Sequence, residues 1–142
     1  MTVADSPAVL RVGMDGVVTR VPFVVEDRGG AGALFREQIG CRLFDVIALD
    51  DRTDMWVDDE AIACVDFDDR EALAEVINPV ATWIAHRYGR RQPVFGAVVM
   101  TRLVGESSVA LDDDQLAWLE LLAVLAAAVL GDVLAERVGG GR

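Results

Sequence analysis

The chain contains no lysine. All 13 of its basic residues are arginine, a bias that a GC-rich genome produces through its arginine codons. There is no GK[ST] and no G-x-G-x-x-G, so neither of the common phosphate-cradling loops is present. Histidine occurs once, at His86, and a single imidazole is a poor start for a metal site, which needs several ligands. The two cysteines, Cys41 and Cys64, form no CxxC pair and give no metal-ligand spacing. They read as partly buried thiols in a reducing compartment. The longest unbroken apolar run is Leu121 to Leu130. A bilayer span needs about 20 such residues, so no membrane helix is expected. The N-terminus has no basic segment followed by an apolar one, so no signal peptide is expected and a cytoplasmic location is.

What is present is apolar and acidic. Hydrophobic residues make up 53% of the 142 positions, enough for a real core in one domain spanning the chain. The formal net charge is −11. Such a chain is repelled by DNA, RNA and anionic membranes, so general nucleic-acid binding is disfavoured.

Local patterns predict an α+β fold with a mostly antiparallel sheet, short helices and a long apolar C-terminal helix. "AVLRV" and "VVTRVPFVV" read as a hairpin around "GMDG", with Pro22 marking an edge strand or a bulge. "AGALFREQIG" reads as a helix stopped by Gly40. "RLFDVIAL" and "DMWVD" read as strands, with "AIACVDF" as a candidate continuation of the second after a break. "DDREALAEVI" is a helix opened by aspartates, and Asn78–Pro79 ends it and starts the next. "QPVFGAVVMTRLVG" reads as a long strand with a bulge or close approach at Gly96, and "ESSVA" as a short one. Asp112 and Gln115 have the spacing of a capping box, with Leu111 and Leu116 as a hydrophobic staple. The helix they open is expected to run over about 113–137 before "GGGR" ends it.

Taken in order, "LFREQIGCRLFDVIAL", "TDMWVDDE", "NPVAT", "VFGAVVMTR" with "GE" soon after, and "LDDDQL" resemble the domain-of-unknown-function 3846 family over about residues 15–118. Its members are small proteins of phages, plasmids and actinobacterial genomes. Their usual turn after the short strand is Asn-Glu-Glu-Gly-like, where this chain has "DDEA". The resemblance implies a mobile-element setting and carries no activity.

Residues 50–60, "DDRTDMWVDDE", hold six carboxylates: Asp50, Asp51, Asp54, Asp58, Asp59 and Glu60. They do not form an EF-hand loop: counted from Asp50, position 3 is Arg52 and position 12 is Ala61. In a strand, Asp54, Trp56 and Asp58 share one face, and Met55 and Val57 point inward on the other. Trp56 would then stand partly exposed between two aspartates, an aromatic anchor ringed by charge. A partner-binding surface of Asp50, Asp51, Asp54, Trp56, Asp58, Asp59 and Glu60 is the functional reading, and a solvated strand with turns the plain one. No metal and no cofactor is expected. Ser107 and Ser108 lack a G-x-S-x-G elbow, so no catalytic residue is assigned. The glycine-rich turn at 28–32 and the arginines at 87, 90 and 91 read as a turn and a helix end.

From Leu116 to Leu130 only Glu120 is charged. A helix apolar nearly all round needs cover on both sides. Ala123, Ala127, Gly131 and Ala135 recur every fourth residue and would let another helix come close. A homodimer through Leu119, Leu122, Ala123, Ala126, Ala127, Leu130 and Gly131 is therefore expected. Function remains open among three classes: a non-enzymatic acidic accessory protein contacting host or element proteins, a small-molecule binder or enzyme, and a purely structural homodimer. The first is preferred, which makes an enzyme the less favoured outcome.

Overall fold

The computed structural model describes residues 7–23, 31–61, 66 and 68–138, the last four without side chains. Hairpin-forming pairs come first. Strands β1 (Ala8–Val12) and β2 (Val18–Pro22) pair antiparallel across a turn in which Gly16 takes a left-handed conformation, φ 84°. Helix α1 (Gly32–Ile39) follows and ends at Gly40, φ 78°, whose N–H donates to Arg36 O. Strands β3 (Phe44–Ala48) and β4 (Thr53–Asp58) form the second hairpin. Helices α2 (Arg70–Val76) and α3 (Pro79–Arg87) come next, then β5 (Val98–Val104) and β6 (Ser107–Val109) as a third hairpin. Helices α4 (Asp113–Val129) and α5 (Gly131–Val138) complete the chain.

Among the described residues all strand pairs are antiparallel, in the order β2-β1-β5-β4-β3 with β6 also on β5. The protein is α+β. β1 pairs with β5 over Leu10–Val12, and β6 pairs with β5 beyond that point, at Arg102–Val104. An isolated bridge between Ala8 and Leu111 joins the two arrangements.

Both faces of the sheet are covered, and this decides what the strands bury. On one face Leu10, Val12, Ile47, Leu49, Met55, Val98 and Met100 pack against Val80, Ala81 and Ile84 of α3 and Leu116, Leu119, Leu122 and Ala126 of α4. Each of these leucines, taken from water, stabilises the fold by about 2 kcal/mol. On the other face Val9, Val21 and Val99 pack against Phe35 and Ile39 of α1, with Phe44 and Trp56 beside them. Arg11 Nε fixes the end of α1 to the sheet by donating to Gln38 O at 2.8 Å.

Asn78 is the buried polar centre of the α3 side. It is fully buried, yet its hydrogen-bonding groups are used. Its Nδ2 donates to Val12 O and Gly96 O, its Oδ1 accepts from Ala81 N, and its own N–H donates to Val94 O. The residue that interrupts two helices in sequence thus also caps α3 and ties it to β1 and to the approach of β5. That approach is where the expected long strand fails. Gly96 has φ 77° and Phe95 bridges Ile77, so regular pairing begins only at Val98.

The sheet edges are blunted. Pro22 lies on the edge strand β2, as its missing N–H requires. On β3, Val46 N–H is taken by Asp45 Oδ1 and Ala48 O by Arg90 Nε at 2.6 Å. Among the described residues no helix is long and apolar enough to cross a membrane. The continuation "AIACVDF" falls mostly on 62–65 and 67, which lie outside the described residues, as do Cys64 and positions 28–30 of the glycine-rich turn.

Candidate functional site

The acidic stretch does not form one surface. Asp50 Oδ1 accepts from Arg52 N–H at 2.8 Å and Asp58 Oδ1 from Glu60 N–H at 2.7 Å, so both close their own turns. Glu60 accepts from the backbone N–H of Arg42 and Leu43 and from the Arg42 guanidinium. The Arg42 side chain, then the backbone donors, hold its carboxyl below the usual range. Asp54 is 6% exposed. Burial, with the Asp50 charge, pushes its pKa up. Asp50, Asp51 and Asp59 are exposed, the first two before β4 and the third after it, so that Asp51 and Asp59 stand roughly 25 Å apart along an extended strand.

Trp56 does share a face with Asp54 and Asp58, but it is not an open anchor. Its ring stacks on Phe35 with centroids 4.4 Å apart, and Phe44 meets it edge-on at 5.5 Å. Its indole N–H donates to the buried Thr101 Oγ1 at 3.0 Å. Trp56 keeps part of its surface open, but α1 lies over that face of the sheet and packs the ring, and only Thr53–Met55 of β4 is buried. Met55 is buried against the other face.

The second expected surface is also turned round. Leu119, Leu122, Ala123 and Ala126 are 1%, 2%, 6% and 0% exposed, packed into the chain's own core. They have almost no side-chain surface left for a partner. Ala127 and Leu130 are part-buried, Leu130 against that core, and Gly131 is exposed. The helix expected over 113–137 is two helices, α4 and α5, separated at Leu130 with φ −103° and ψ 20°.

What α4 presents outward is its opposite side. Trp118 is 50% exposed, Val124 65% and Val129 67%, and Leu121, Leu125, Ala117 and Ala128 are exposed with them. At about 3.6 residues per turn these positions lie on one stripe of the helix. Acidic residues close it at both ends, Asp113 and Asp114 before it and Asp132 after it. The sequence pattern gave the apolar character of the helix but not which side faces in. The one signal available was Glu120, the lone charge. It marks the border of the stripe, where Arg20 of β2 grips it through two bonds, Nε to Oε2 at 2.9 Å and Nη2 to Oε1 at 2.6 Å.

Local chemistry holds this helix in place. Asp112 accepts from Gln115 N–H at 2.7 Å while Gln115 Oε1 accepts from Asp112 N–H, a complete capping box. Gln115 Nε2 also donates to Arg52 O and Thr53 Oγ1, and Arg52 Nη2 pairs with Asp112 at 3.1 Å. The β3–β4 turn is thereby fastened to the start of α4. Tyr88, after α3, is half-buried; burial pushes its phenol up, and a hydrogen bond from Trp118 pulls the other way.

Two depressions border these elements. One, of about 290 Å³, lies between the first hairpin and α4, lined by Gly16, Val18, Glu120, Ala123, Val124 and Ala127. Its ionisable group, Glu120, is engaged with Arg20. The other, of about 120 Å³, lies along β3 and β4 and includes Asp45, Asp58 and Asp59. Neither brings a nucleophile together with a base. Among the described residues no three His, Cys, Asp or Glu side chains converge to hold a metal ion. His86 is exposed at the end of α3. Cys41 is part-buried, and burial, then Asp58 and Glu60, raise its thiol pKa, which disfavours the reactive thiolate.

Compared with protein-family models, with curated proteins and with solved structures, the chain matches none.

Proposed function

We propose that the chain is a non-enzymatic binding protein that acts as a homodimer, its subunits meeting through the outward face of α4. The observation that carries this reading is the exposed apolar stripe from Ala117 to Val129. Its apolar area is on the order of 500 Å², near the top of what a monomeric protein leaves open. Exposed Trp, Leu and Val side chains set on a rigid helix are what protein contacts use at their centres. The acidic exterior left over, net charge −11 per chain, suits contact with a basic protein rather than with nucleic acid. The setting implied by the sequence resemblance, a phage or another mobile element, is compatible with such an accessory role.

Sedimentation equilibrium tests the reading. The expected species has about twice the 15.3 kDa chain mass at micromolar concentration. Val124→Glu places a charge on a side chain that the monomer leaves open, so it is expected to give a folded monomer. A wild-type chain that stays monomeric would remove the dimer, and with it the use proposed for the stripe.

A further inference from the structure

The exposed stripe of α4 has a symmetry of its own. Reflected about the level of position 123, Ala117 exchanges with Val129, Trp118 with Ala128, and Leu121 with Leu125. The largest side chain on the stripe is matched by one of the smallest, and the leucines by each other. Val124, among the most exposed of them, sits next to the reflection point. The core of the stripe, 118, 121, 125 and 128, advances by three, four and three residues, the spacing of a seam between two helices packed at about 20°. Large-on-small matching under reflection is what an isologous two-fold contact requires: residue i meets residue j, and j meets i.

Resting on the dimer reading above, we propose that two copies pair with their α4 helices antiparallel, about a two-fold axis beside Val124. Trp118 of each chain packs on the partner's Ala128, and Leu121 on the partner's Leu125. The occupant of the stripe is thus a second copy of this chain. The area supports this choice: about 500 Å² of apolar stripe supplies most of the roughly 800 Å² per partner that a stable interface buries. The blunted edges of β2 and β3 leave strand addition as a poor competitor.

The pairing is diagnosable within α4 itself. Leu121 and Leu125 are both about half exposed, so neither is needed to fill the subunit's own core. In the antiparallel pair each Leu121 meets the partner's Leu125. Leu121→Glu or Leu125→Lys alone then sets a charge against a leucine, and the two together set Glu against Lys at both contacts. In a parallel pair each position would meet its own copy, and the double variant would set Glu against Glu and Lys against Lys.

The experiment is sedimentation velocity on the full chain at low and moderate sodium chloride, for wild type, both single variants and the double variant, each checked for folding by circular dichroism. Each single variant is expected to dimerise about ten-fold more weakly, and the double variant to regain most of that loss at low salt. The regained affinity should fall as salt is added. A second measurement does not depend on charge. In a chain with Cys41→Ser and Cys64→Ser, a short bismaleimide should link Val124→Cys chains into dimers. Val129→Cys chains should not be linked, since their two sites lie about 18 Å apart along the seam. If wild type dimerises but the double variant is no tighter than the single ones and Val129→Cys links as well as Val124→Cys, the antiparallel arrangement is overturned while the dimer stands. If wild type is a monomer throughout, both fall.

Discussion

Trp56 and Trp118 invite comparison. Both follow closely on aspartates, and both lie near a hydroxyl, Trp56 donating to Thr101 and Trp118 standing beside Tyr88. Trp56 sits in the most acidic stretch of the chain and is packed against Phe35 and Phe44. Trp118 begins the most apolar stretch and is half open to solvent. Charge along the sequence did not decide exposure in either case. The tertiary layer did: α1 lies over β4, whereas the outward side of α4 carries no element above it among the described residues. A charged neighbourhood can be interior when its carboxylates close turns, and an apolar helix can be half surface when one sheet covers only one of its sides.

The sharpest way to break the comparison is to truncate each ring. Trp56→Ala removes a stacked aromatic and its hydrogen bond, and is expected to cost about 3 kcal/mol in urea unfolding. Trp118→Ala should change the stability of the folded subunit by less than about 1 kcal/mol, yet weaken self-association about ten-fold or more. Equal losses of stability for the two would remove the distinction. A smaller effect sharpens the account of Trp56. Thr101→Val keeps the shape of that buried side chain but leaves the indole N–H without its acceptor, for an expected cost of about 1–2 kcal/mol by the same measurement.

The smallest effect concerns charge. Burial, with Asp50, raises the folded pKa of Asp54 above its ordinary value of 3.8. The folded state therefore holds that proton more tightly than the unfolded chain. Ionised Asp54 opposes folding at neutral pH, and this penalty fades as pH falls through the raised folded pKa toward 3.8. Asp54→Asn is expected to be slightly stabilising at pH 7, with the gain shrinking over that window in a pH series of thermal melts. A variant less stable than wild type at pH 7 would show the carboxylate to be favourably paired.

Features set by a few adjacent residues were legible in the sequence. Gly40 ends α1, Asn78–Pro79 separates α2 from α3, Pro22 falls on an edge, and Asp112 with Gln115 opens α4. The antiparallel α+β class followed from the hairpins. Features set by packing between distant segments were not legible. Nothing near Trp56 announces that Phe35, twenty-one positions earlier, will stack on it. An apolar run without a polar side gives no direction in which to turn, so the alanine row at 123 and 127 was a natural but misleading guide to an interface. Gly96 did mark an irregularity, but its full effect, a strand starting only at Val98, depends on Asn78 reaching across to Gly96 O.

The capping box of α4 has one more consequence. A binding surface built on a loop must be frozen when its partner arrives, at about 0.5–1.5 kcal/mol for each side chain immobilised, besides the backbone. Here the start of the helix is already tied by Asp112, Gln115 and Arg52 to the turn between β3 and β4, and its inner side is locked into the core. A partner that reaches Trp118 meets a scaffold whose ordering was completed during folding. Affinity at such a surface is governed by how well its shape is matched, and little of it is lost to reorganisation.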